Sequence, residues 1–100
     1  MAFTLEGTWL SQVPPTVAKG ELVTPKNSVV GMKVERGRDW TLGDEDGGIG
    51  GIGTLTKPSD SAKDCWYVKW ERNNKEKGYY AIGNQGCYRL KVRWPYETYP

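Results

Sequence analysis

The chain has 100 residues, 12% of them aromatic with five tryptophans and six tyrosines, and a formal charge of +2 with no histidine. That length suits one small domain with a modest core, and so aromatic a composition excludes a disordered chain. The missing imidazole removes Ser-His and Cys-His nucleophilic pairs and histidine-based zinc sites, and no apolar run approaches the ~20 residues that span a bilayer. The small net charge hides an asymmetry: residues 1–50 carry five basic and seven acidic side chains, residues 51–100 nine and five. Met1 to Leu10 lacks the charged and apolar regions of a secretory signal, so the cytoplasm or the nucleoplasm is the expected compartment.

From the N-terminus, Phe3, Leu5 and Trp9 suggest a strand that adds to the domain, while Pro14, Pro15 and Pro25 keep the rest of the first thirty residues extended or turn-like. Val30, Met32 and Val34 alternate as a strand does. Arg36 to Gly53 reads RGRDWTLGDEDGGIGGIG, which is neither regular helix nor strand. Carboxylates at Asp44, Glu45 and Asp46 beside Gly47 and Gly48 suit a tight, ordered turn in which acidic side chains accept backbone N–H groups. Ile52 to Leu55 makes a further strand. Cys65 to Trp70 (CWYVKW) is the clearest, its period of two placing Trp66, Val68 and Trp70 on one core-facing face. Tyr79 to Ile82 and Leu90 to Val92 supply two more, with turns at Asn73-Asn74 and Gly83 to Gly86.

Five short strands without room for crossover helices argue for an all-β, compact antiparallel barrel. The expected organisation is an N-terminal extension over residues 1–29 whose first part packs on the domain, the barrel over 30–93, and an aromatic tail over 94–100 that folds back.

Val34 to Gly48 (VERGRDWTLGDEDGG), Gly53, Val68-Lys69-Trp70 and Tyr80 to Val92 (YAIGNQGCYRLKV) resemble, in order and approximate spacing, a mind-bomb/HERC (MIB) domain. Such domains occur in large E3 ubiquitin ligases. The resemblance covers about Gly31 to Val92 and narrows the barrel to an SH3-like one. Departures accompany it: Leu42 and Glu45 stand where a Trp and a Gln are usual, Gly78 and Ala81 replace common Asn and Arg, Arg89 replaces Asp, and Glu71 to Tyr79 is somewhat long. The resemblance implies recruitment without catalysis. In mind-bomb ligases these domains bind short cytoplasmic tail segments of Notch ligands, and the ubiquitin-transfer machinery lies elsewhere.

The chemistry of the residues agrees. Asp44 and Asp46 lack the spacing of a calcium loop or a defined acid–base pair, so they read as turn formers, and GGIGGIG lacks the Lys-Ser/Thr of a phosphate loop. No cofactor or metal is expected. Cys65 and Cys87 read first as free thiols, a disulfide remaining open. The expected function is therefore a protein-interaction module that binds a peptide, including that of a ubiquitination substrate, through Arg38, Asp39, Trp40, Leu42 and Tyr79, on a frame shaped by Asp44, Asp46, Gly47 and Gly48. Trp40 reads equally as a buried loop anchor, and Asp39 as a turn cap. Tyr80 reads as structural, with Tyr79 alternating to the other face. The alternative is a nucleic-acid-binding barrel using Lys69, Arg72, Lys75 and Lys77, but Glu71 and Glu76 interrupt that stripe and favour a solvated hairpin.

Overall fold

Alternating burial is the plainest structural consequence of the sequence: in the third strand Trp66, Val68 and Trp70 are buried while Tyr67 and Lys69 face outward. The computed structural model describes residues 17–94. Its strands are β1 (Lys33–Arg36), β2 (Gly53–Pro58), β3 (Cys65–Trp70), β4 (Glu76–Ala81) and β5 (Leu90–Trp94), with a short 3-10 turn at Asn84–Gly86. All five belong to one antiparallel sheet ordered β4-β3-β2-β1-β5. The protein is an all-β domain of the expected barrel-like kind.

Bulges curl the sheet. Register shifts between Leu55 and Lys57, between Trp66 and Val68, and between Lys33 and Val34 add local twist where a flat sheet would leave one face open to water. The two ends of the sheet then meet just before β5. Ile82 and Tyr88 form an isolated bridge there, and Arg89 N–H donates to the Ala81 carbonyl at 2.9 Å. The outer side of β5 is covered as well: Gly20 N–H donates to Val92 O at 2.7 Å, Val23 N–H to Leu90 O at 3.0 Å, and Leu22 bridges Lys91.

Inside the curl sit Met32, Val34, Leu55, Trp66, Val68, Trp70, Tyr80, Ile82, Leu90 and Val92, joined by Val23 from the segment along β5. Val17, Val29, Trp40 and Leu42 pack against this cluster from its margin. Met32 and Val34 keep the expected alternation, but Val30 does not: it lies in a turn, 64% exposed, because Gly31 at positive φ turns the chain before β1 begins. β2 likewise starts at Gly53 and runs on to Pro58, past the expected Leu55. The expected strand around Phe3, Leu5 and Trp9, the Pro14-Pro15 segment and the tail beyond Trp94 lie outside the described residues. Among the described residues no helix is long and apolar enough to cross a membrane.

Candidate functional site

The loop between β1 and β2 is organised by a residue that ends β1. Arg36 Nε donates to Asp46 Oδ2 at 2.6 Å, and its Nη2 donates to Asp46 Oδ1 at 3.0 Å, Gly43 O at 3.0 Å and Asp44 Oδ1 at 3.2 Å. Asp46 is fully buried and also accepts Gly48 N–H at 3.0 Å, while Gly47 and Gly48 turn the chain at φ 91° and 104°. From the β3–β4 hairpin, Arg72 Nη1 donates to the carbonyls of Ile49 at 2.9 Å and Gly47 at 3.3 Å. The acidic turn is thus ordered, as read from its composition, but a guanidinium on each side does much of the ordering.

Burial alone would push the Asp46 carboxyl up, yet the Arg36 guanidinium and the Gly48 N–H outweigh it and hold the group below its ordinary 3.8. A carboxyl with a depressed folded value stabilises the fold fully above its unfolded value and loses that contribution as pH falls through the folded one. Stability should therefore drop as pH falls below about 4, and Asp46→Asn should flatten that decline while costing stability at neutral pH. Urea unfolding midpoints across that range test this. An unchanged slope in Asp46→Asn would remove Asp46 from the account.

A second knot ties the loop to β4. Tyr79 Oη donates to Glu45 Oε2 and Tyr80 Oη to Glu45 Oε1, both at 2.6 Å, and Trp70 Nε1 donates to Tyr80 Oη at 2.9 Å. Lys77 Nζ stands 3.7 Å from Glu45 Oε2, and Asn73 Nδ2 donates to the Glu45 carbonyl at 3.1 Å. Partial burial raises the Glu45 carboxyl, but the two tyrosine hydroxyls and Lys77 prevail and hold it below its ordinary range. Burial first, and the hydrogen bond to Glu45 second, push the Tyr79 phenol up to about 12 and that of Tyr80 higher still, so both stay protonated donors at neutral pH. Tyr79 is 44% exposed and Tyr80 fully buried, a difference in burial that the alternation implies. Their hydroxyls nevertheless converge on one carboxylate, the rings tilted with centroids 5.1 Å apart.

Trp40 occupies the anchor position. Its ring stacks on Tyr80 at 6.0 Å, meets Trp70 edge-on at 5.7 Å, and its indole N–H donates to Gly43 O at 2.9 Å. Asp39 accepts the Tyr88 N–H at 2.8 Å and pairs with Arg38 at 3.0 Å, so it caps the turn. Arg38 is 60% exposed along its side chain, lies 5.3 Å over the Tyr88 ring, and reaches the Gly86 carbonyl at 3.5 Å. The Asp44 side chain is 85% exposed and contacts Arg36, while the Asp44 carbonyl accepts the Gly47 N–H at 2.9 Å. Leu42 and Tyr79 face a shared open groove of about 540 Å³ that continues over Ala81 to Asn84, Gln85 and Arg89. Arg38 does not line this groove, but its contact with Gly86 lies between two residues that do, Gln85 and Cys87.

Sequence reasoning overlooked Arg36 and Glu45 as organisers. The charge pattern RGRD…DED held the signal for the first, since an arginine at a strand end ten residues before a buried acid is well placed to pair across a loop. The basic hairpin is partly committed to internal contacts: Arg72 clamps the glycine loop and Lys77 pairs with Glu45. Lys69 and Lys75 are exposed. Cys65 and Cys87 are free thiols, and among the described residues no group of three or more Asp, Glu, Cys or His residues is arranged to hold a metal ion.

Comparison with known proteins bears on what this arrangement serves. The family model Mib_herc2 matches residues 31–94. The chain is 35% identical over 78 residues to the E3 ubiquitin-protein ligase mind-bomb of Drosophila melanogaster, an alignment covering 74% of this chain and 6% of that protein. It is 37% identical over 67 residues to the E3 ubiquitin-protein ligase MIB2 of Gallus gallus (61% and 7%) and 34% identical over 73 residues to the E3 ubiquitin-protein ligase HERC2 of Mus musculus (71% and 1%). The chain thus spans only a small fraction of the length of these relatives.

Proposed function

The chain belongs to the Mib_herc2 family, and from that premise we propose that it is a non-catalytic interaction module of a cytoplasmic E3 ubiquitin-protein ligase, binding a short extended peptide of a ubiquitination substrate. Transfer of ubiquitin is the work of other domains in this reading. The observation that carries it is the groove beside the first loop, lined by Leu42 and Tyr79, with Arg38 in contact with Gly86 between the lining residues Gln85 and Cys87. Its walls are held before any ligand arrives: Glu45 pins Tyr79, Trp40 anchors the loop on the core, and Asp46 with Arg36 fixes the turn behind it. A preorganised surface binds more tightly because little side-chain or loop entropy is lost on association. Aromatic and arginine side chains are the usual anchors of such surfaces.

Calorimetric titration of the variants Arg38→Ala, Tyr79→Ala, Lys75→Ala and Lys77→Ala with peptides and with a single-stranded oligonucleotide tests the proposal. The first two should weaken peptide binding roughly 30-fold, as hot-spot truncation does. The lysine variants should leave it nearly unchanged, and oligonucleotide binding should be weak. Dominant lysine effects, with an oligonucleotide affinity that falls steeply with salt, would replace recruitment by nucleic-acid binding.

A further inference from the structure

Resting on that peptide-binding reading, we propose that the groove selects a segment in which an Asp or Glu side chain adjoins an apolar residue, with Arg89 as the carboxylate anchor. Arg89 is held by its backbone: its N–H donates to Ala81 O at 2.9 Å and its carbonyl accepts the Gly37 N–H at 2.7 Å. The stem is therefore fixed at the junction of the two sheet ends, and the side chain lines the groove as its single charged residue. Its Nε is buried and has no hydrogen-bond partner among the described residues. That nitrogen is closed to a ligand, but the residue as a whole is half-buried and lines the groove, and charge-assisted bonds from a guanidinium to a carboxylate are about twice as strong as neutral ones.

Two acids of the site are already engaged. Asp39 is taken up by Arg38 and the Tyr88 N–H, and Glu45 by the hydroxyls of Tyr79 and Tyr80 and by Lys77. Asp39 feels the Arg89 charge, but among the described residues neither carboxylate hydrogen-bonds to the guanidinium, which leaves its fork for an acid that a ligand brings. A carboxylate matches the planar fork of a guanidinium in two parallel hydrogen bonds. Leu42, Ala81 and Tyr79 line the same groove and offer apolar surface to the neighbouring side chain; Gln85 offers its amide to the peptide backbone, whereas the Asn84 Nδ2 is already given to the Lys63 carbonyl at 2.8 Å. The volume of about 540 Å³ lies within the range of clefts that enclose ligands, roughly 300–1,000 Å³.

The test uses the whole 100-residue chain and pools of short acetylated, amidated peptides. Each pool has a fixed Leu next to Asp or Glu, to Asn or Gln, or to Lys, with mixed residues elsewhere. The unaltered protein should bind the carboxylate pools roughly 30-fold more tightly than the amide pools. Arg89→Gln should erase that preference, and Arg89→Glu should shift binding towards the Lys pool, with thermal melting confirming that each variant is folded. If the Arg89 variants do not fold, the carboxylate-against-amide ratio of the unaltered protein decides. A ratio near one, or a carboxylate preference that survives Arg89→Gln in a folded variant, overturns the assignment of Arg89 while leaving peptide binding intact. Failure of every pool to bind overturns the peptide-binding reading itself.

Discussion

Trp70→Ala is expected to lower the free energy of unfolding by ~3–5 kcal/mol, the usual cost of truncating a core tryptophan. Its indole is completely buried, its edge meets Trp40 and Tyr80 at 5.7 and 5.5 Å, and its N–H supplies the hydrogen bond that aligns the Tyr80 hydroxyl for Glu45. Removing it opens a cavity and loosens the knot between loop and β4 together. Trp40→Ala should cost less, because that ring packs on the margin of the core and the space it leaves opens to water. Urea denaturation of both variants reads the difference directly. Equal midpoints would mean that the loop tryptophan and the strand tryptophan share one energetic role, against the geometry.

The second large effect is expected at Gly37. A Cβ there would stand 2.6 Å from the Leu90 amide nitrogen and 2.8 Å from the Arg89 carbonyl carbon, and both are backbone atoms that cannot rotate aside. Overpacking of this kind costs about 1–3 kcal/mol, and Gly37→Ala should fall at the upper end because two paired segments must separate. The Gly37 N–H to Arg89 O bond and the adjoining Asp39 N–H to Tyr88 O bond would lengthen with it, displacing Arg38 and Arg89 at once. Amide hydrogen exchange at Gly37 and Asp39, measured beside the melting temperature, tests both parts. A variant with unaltered melting and unaltered protection would show that the chain yields at this crossing.

The MIB resemblance read from the DW pair, the DEDGG turn, the V-x-W strand and the terminal G-x-x-G-x-Y-x-L-K-V agrees with the family model's match over residues 31–94. These motifs sit at structural joints. Trp40 anchors the loop, Asp46 and Gly48 make its turn, Trp70 fills the core, and Tyr88 bridges Ile82. Much of the candidate surface was visible because it interrupts regular structure: Arg38, Leu42 and Tyr79 stand out as a loop cation, a loop aliphatic and an outward aromatic. Arg89 was visible only as a departure from the family pattern. Its significance rests on its place in the groove and on an Nε left without a hydrogen-bond partner among the described residues, which no local pattern in the sequence records.

Local order was in the sequence itself. A period of two at Trp66, Val68 and Trp70, glycines beside acids, and the absence of helical periodicity are properties of neighbouring residues, so they define an all-β chain with one ordered loop before any contact is known. Val23 gave no such signal, because an isolated valine between turns has no period, yet it enters the core once its backbone pairs with Leu90. The site was decided at longer range. Arg36 and Asp46 are ten residues apart, Arg72 and Gly47 twenty-five, and Glu45 and the two tyrosines thirty-four and thirty-five. No repeat in the chain records those separations. They arise from the bulges and register of the sheet, which set the hairpin and β4 against the first loop; desolvation there makes each charge find the nearest partner the fold provides.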